Sequence, residues 1–70
     1  MSVYKVIEII GTSSESWEDA AVSAVTTARE TLRELRVAEV VEQDLDLTGF
    51  EGVVFRTKLR ISFKYDATQE

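Results

Sequence analysis

The sequence predicts an α+β fold of order β-α-β-β, a three-stranded antiparallel sheet with one helix on its apolar face. Three observations carry that expectation. A β-branched run opens the chain at 2–10, apolar residues then recur at spacings of three and four, and two stretches of period two follow at 36–47 and, most clearly, at 53–65. With 70 residues the chain has room for a single domain spanning 1–70.

The first strand is read from Ser2 to Ile10, where β-branched and aromatic types dominate, and Gly11-Thr12-Ser13-Ser14 is read as its end. Ser16-Trp17-Glu18-Asp19 fits a capping box loosely, with Ser14 as a competing cap. From there Trp17, Ala21, Ala24, Ala28, Thr31 or Leu32, and Leu35 mark one narrow face of a helix over 16–35, which at 1.5 Å per residue is roughly 30 Å long. An Ala-dominated face lets a sheet approach closely but buries little area per residue.

In the second strand, 36–47, a return to period two places Val37, Glu39, Val41, Gln43 and Leu45 on one face. Ala38, Val40, Glu42, Asp44 and Asp46 take the other. Thr48 to Gly52 holds two glycines and suits a hairpin loop. In the third strand, 53–65, an apolar face (Val53, Phe55, Thr57, Leu59, Ile61, Phe63, Tyr65) is opposed by Val54, Arg56, Lys58, Arg60, Ser62 and Lys64, and 66–70 is a polar tail. One helix cannot cover three such strands, and Val6 and Ile10 share the face of strand one opposite Ile7 and Ile9. Apolar surface is left over, and association into a symmetric homo-oligomer is expected.

Composition closes several function classes. There is no Cys, so no disulfide or thiolate metal site, and no His, so no imidazole ligand or base. Thirteen acidic residues against eight basic ones give a net charge of −5, which argues against a nucleic-acid partner. No run approaches the roughly 20 apolar residues that span a bilayer, and the start of the chain lacks a signal-peptide pattern. The expected address is the cytoplasm, with no membrane partner. Ser13, Ser14, Ser16, Ser23 and Ser62 have no base to activate them, so no enzyme is expected.

Two patterns point to a ligand. Arg56, Lys58, Arg60 and Lys64 line one face of strand three, and Glu42, Asp44 and Asp46 line one face of strand two. They form either a solvated, charge-paired sheet face or a polar wall within an assembly. Asp44-Leu45-Asp46-Leu47-Thr48-Gly49 matches the first six positions of an EF-hand loop, but the twelfth is Phe55 and strands flank it, so it is not one. An oxygen site for a divalent cation built from Asp44, Glu42, Glu8 or Asp46 remains open. Trp17 either stacks a flat ligand or anchors the helix to the sheet.

In combination, Val6-Ile7-Glu8-Ile9-Ile10-Gly11-Thr12-Ser13, Ser16-Trp17-Glu18-Asp19-Ala20-Ala21, Ala38-Glu39-Val40-Val41-Glu42-Gln43 and Leu59-Arg60-Ile61-Ser62-Phe63-Lys64 resemble the dodecins over nearly the whole chain. The resemblance implies a sheet half-wrapping one helix and twelve copies forming a hollow sphere. Most dodecins bind flavins between subunits, stacked on a Trp and hydrogen-bonded by a Gln. The matching positions here are Val37 and Arg56, which argues against flavin of the usual kind. Met1 to Ile7, Ser16 to Glu18, Arg36 to Ala38 and Glu42 to Asp44 are more similar to the calcium dodecin branch. That branch implies a non-enzymatic, homododecameric storage or buffering protein that holds calcium at subunit interfaces. The alternatives are a flavin binder with other contacts, Arg56 pairing a phosphate or ring oxygen, and a purely structural shell.

Overall fold

The computed structural model describes residues 2–49 and 52–65. The expected tail, 66–70, and two loop residues, Phe50 and Glu51, lie outside them. Strand β1 spans Val3–Ser13, helix α1 Trp17–Ala28, strand β2 Leu35–Asp46 and strand β3 Val54–Tyr65. The sheet order is β1-β3-β2, with β3 antiparallel to both neighbours, so the most clearly alternating strand sits in the middle. The β-α-β-β architecture is the one the sequence predicts.

Side chains at paired antiparallel positions share a face, and the register therefore sorts the whole sheet. Ile7, Ile9 and Gly11 of β1 and Thr57, Leu59 and Ile61 of β3 lie under α1. Ala20, Ala24, Ala28, Leu59, Ile61 and Thr57 are buried. Gly11 makes the close approach possible. A Cβ built there would lie 2.1 Å from the carbonyl oxygen of Ala20 and 2.9 Å from the Cβ of Ala24. The helix thus rests on the β1 backbone at Ala20 and Ala24. Strand β1 does not end at Ile10: Gly11, Thr12 and Ser13 go on pairing with Thr57, Arg56 and Phe55 of β3.

The N-terminus of α1 is capped by Ser16, whose hydroxyl accepts from the Asp19 amide at 2.9 Å. The Asp19 carboxylate does not close a capping box; it accepts instead from the Ser13 hydroxyl at 2.7 Å, tying the helix start to the end of β1. The helix is 12 residues long, about 18 Å, and ends at Ala28 instead of Leu35. Past Ala28 the Thr31 and Leu32 amides donate back to the Ala28 carbonyl, and Glu34 adopts a left-handed φ of 60°. Leu32 and Leu35 still pack on the core, Leu32 from a turn and Leu35 from the start of β2. The helical spacing continued in the sequence because both contexts bury the same side.

Strand β2 carries two register shifts, skipping Arg36 and Val41 in the pairing with β3. The second reverses the expected faces. Beyond Val41, Gln43 and Leu45 oppose Thr57 and Phe55 on the helix side, while Glu42 and Asp44 oppose Lys58 and Arg56 on the outer side. Before it, Ala38 and Val40 face the helix side with Ile61 and Leu59, and Val37 and Glu39 face outward with Ser62 and Arg60. The bulge therefore brings Glu39, Glu42, Asp44 and Asp46 onto one face, where uninterrupted alternation would have set Glu39 apart from the other three.

The helix covers mainly β1 and β3 and leaves the inner face of β2 open: Val40 is 52% exposed. On the outer face Val6 and Ile10 are each about half exposed. An apolar cleft of about 580 Å³ also runs between α1 and the free edge of β1, walled by Ile7, Ile9, Ala24, Ala28 and Leu32. The leftover apolar surface inferred from the sequence is present on both faces of the sheet.

Candidate functional site

The outer face of the sheet carries a charge ladder set by register. Arg56, Lys58 and Arg60 alternate along the central strand, and carboxylates approach them from both edges. Asp44 and Arg56 are directly opposite and form a two-pronged contact: Nε donates to Oδ1 at 2.6 Å and Nη2 to Oδ2 at 2.9 Å. Lys58 lies 3.5 Å from Glu42. Arg60 spans the sheet, donating to Glu8 of β1 at 3.0 Å and reaching Glu39 of β2 at 3.6 Å. Ile10, Glu42, Asp44, Arg56 and Lys58 line an open hollow of about 100 Å³ on this face, near the start of β3.

The electrostatics follow from the contacts. The Arg56 hydrogen bonds hold the Asp44 carboxyl below its ordinary pKa, and Asp44 in turn raises that of the Arg56 guanidinium. Asp46 is lowered by a different cause: its Oδ1 accepts from the Thr48 hydroxyl at 2.7 Å and the Thr48 amide at 3.0 Å. Of the four carboxylates singled out in the sequence, Asp46 is the one with no Lys or Arg within ion-pair distance among the described residues.

Asp44 is held from the helix side as well. The Trp17 indole donates to its backbone carbonyl at 3.1 Å, and the indole meets Phe55 edge-on, ring centres 5.2 Å apart. The buried Thr57 hydroxyl donates to the Trp17 carbonyl at 2.9 Å. Trp17 is therefore a helix-to-sheet anchor in this chain, one of the two roles left open for it. Its tie to Asp44, 27 residues away, carries no local sequence signal. Neither does the contact of Glu39 with Arg60, which depends on the bulge at Val41.

The candidate metal ligands Glu8, Glu42, Asp44 and Asp46 share the outer face but do not converge. Glu8 sits across the sheet on Arg60, Glu42 and Asp44 each face a cation, and Asp46 folds back on Thr48. Among the described residues no three acidic side chains group as a metal ion needs. The donor set suits calcium in kind, being oxygen throughout, but the ion takes about 6–8 oxygens. One protomer does not gather that many here.

The two positions matched to flavin contacts are also apart. Val37 opposes Ser62, and Arg56 lies six residues further along β3, about 20 Å away at the strand rise. Val37 is 61% exposed. No helix among the described residues is long and apolar enough to cross a membrane.

This combination of a bulged three-stranded sheet, one closely seated helix and a charged outer face is that of a known class. A family model described as Dodecin matches residues 3–66, and the chain belongs to the dodecin family. It is 51% identical over 69 residues to the calcium dodecin of Mycobacterium tuberculosis, covering 99% of this chain and 97% of that protein. The crystal structure of that calcium dodecin, described as calcium-chelating with a novel calcium-binding site, superposes with a TM-score of 0.85 at 49% identity over 99% of both chains. The dodecin of Streptomyces coelicolor gives a TM-score of 0.85 at 30% identity over 93% of both chains.

Proposed function

We propose that this chain is a non-enzymatic dodecin that assembles as a homododecamer and holds a divalent cation, calcium, where its copies meet, in place of flavin. The observation that carries the reading is the condition of the two positions matched to flavin contacts. Val37 offers no aromatic face, and Arg56 is engaged by the Asp44 carboxylate of its own chain, so neither stacking nor an amide acceptor is available. Similarity to a calcium dodecin over nearly the full chain supports the choice of ion.

Assembly is supported by the open inner face of β2, the half-exposed Val6 and Ile10, and the cleft beside β1. The same assembly answers the ligand count. Asp44, Glu42, Glu8 and Asp46 supply oxygens of the right kind but too few per protomer, and a symmetry axis multiplies each by the number of copies around it. Asp46 is the first choice to face such an axis, since it is ionised and oriented by Thr48 and carries no cation of its own. The role is storage or buffering in the cytoplasm.

Calorimetric titration of chelator-treated, assembled protein with calcium tests the cation, and a native mass spectrum tests the twelve copies. Saturable heat, reduced by Asp46→Asn, is expected. No heat at millimolar calcium, or a yellow protein carrying flavin, would reject the cation reading. A compact species near the 7.9 kDa chain mass would reject the assembly.

A further inference from the structure

The outer face is balanced before any cation arrives. In the hollow near the start of β3 Asp44 and Glu42 neutralise Arg56 and Lys58, one carboxylate to each cation, with Ile10 as the apolar floor. Arg56 turns its Nε and Nη2 toward Asp44 and leaves Nη1 outside that contact; Lys58 stands off Glu42 at 3.5 Å, a loose contact. The two cations are two residues apart on the central strand, on the same face, so both side chains address the same space.

A divalent cation that draws on Asp44 or Glu42 upsets this balance. Its positive charge competes with the guanidinium and the ammonium for the same carboxylate oxygens, and the two basic groups, which remain partly exposed to solvent, lose their counter-charge. We propose that Arg56 and Lys58 form a latent oxyanion site, closed by Asp44 and Glu42 and opened when those carboxylates are taken by a cation. The ligand class is a tetrahedral oxyanion such as sulfate or inorganic phosphate. The planar guanidinium gives a two-point grip on such an ion and the ammonium a third donor. The cation arm of this proposal rests on the calcium reading; the oxyanion arm rests on Arg56 and Lys58 alone.

Coupling of this kind is reciprocal: an oxyanion seated on Arg56 and Lys58 releases carboxylates for the cation by the same factor. The chain would then take up a cation and an oxyanion together, loading as a salt, and its cation affinity would follow the oxyanion content of its surroundings.

The experiment uses two arms on the assembled protein. In the first, the double variant Asp44→Asn with Glu42→Gln is titrated with sodium sulfate in the absence of calcium. Both changes are nearly isosteric and lie on an exposed face, and assembly is checked by sedimentation. The variant is expected to bind sulfate at least tenfold more tightly than the parent, and a further Arg56→Gln is expected to abolish the gain. In the second arm, which needs no variant, the parent is titrated with calcium in dilute sodium sulfate and in sodium methanesulfonate of equal ionic strength, against the free calcium ion read by an electrode because sulfate itself pairs with calcium. An apparent calcium affinity about fivefold higher in sulfate is expected, at the low end of typical coupling. Sulfate binding by the variant without calcium binding by the parent would sink the calcium reading and keep the oxyanion site. Calcium binding indifferent to sulfate, or a folded variant that gains no sulfate affinity, would overturn the latent site and leave the calcium reading standing.

Discussion

Gly11 offers the sharpest quantitative test of how this fold is held. Gly11→Ala adds one methyl group 2.1 Å from the Ala20 carbonyl oxygen, 2.9 Å from the Ala24 Cβ and 3.0 Å from the Ala20 carbonyl carbon. Ordinary contact begins near 3.4 Å, so the helix must retreat by about 1 Å or the strand must bend. Neither yields cheaply. The obstructing atoms are helix backbone and a methyl group at the most buried part of the core, with Ala20 fully buried and no long side chain to swing aside. Overpacking of this kind costs about 1–3 kcal/mol, and a backbone obstacle places Gly11→Ala at the upper end, about 3 kcal/mol. Gly49→Ala is the control, because no atom of the described residues lies within 4 Å of the added methyl. Guanidinium unfolding of the three proteins, at one protomer concentration because assembly contributes to apparent stability, reads the difference. Gly11→Ala as stable as Gly49→Ala would refute the close seating of α1 on β1.

Other outcomes follow from the same contacts. Trp17→Phe keeps the edge-on contact with Phe55 but removes the indole donor to Asp44, and a loss of about 1 kcal/mol in chemical unfolding is expected. Val37→Trp combined with Arg56→Gln restores a stacking face worth about 0.5–1.5 kcal/mol beyond area burial and an amide acceptor, so the double variant should quench riboflavin emission where the parent does not. The lowered Asp44 carboxyl makes its pairing with Arg56 fully effective above the ordinary carboxylate value of 3.8 and lost as the pH falls through the depressed one. Thermal melts in acid should therefore decline less steeply for Asp44→Asn than for the parent.

The third strand was the most legible part of the chain, because Phe55 to Phe63 alternate without interruption and the register confirms each side. Two features escaped sequence reasoning for definite reasons. The helix ends seven residues before the spacing predicts, since Leu32 and Leu35 keep the helical spacing and no Gly, Pro or Asn stands at Glu34, where the chain turns left-handed. The faces of β2 beyond Val41 are the reverse of those that alternation predicts, since the bulge there falls among Val40, Val41 and Glu42, none of which marks a bulge as a glycine would. The acidic and basic rows were visible as compositions of two strands. Their pairing one to one, Asp44 with Arg56 and Glu42 with Lys58, needed the register that only the folded sheet supplies.

Asp44 is gripped through the thickness of the sheet, by Trp17 at its carbonyl and by Arg56 at its carboxylate. Anything that pulls on the carboxylate also shifts the carbonyl against the lone indole of the chain. The indole is thus placed to serve as an optical gauge: emission excited at the helix start is expected to follow events on the opposite side of the sheet without a label.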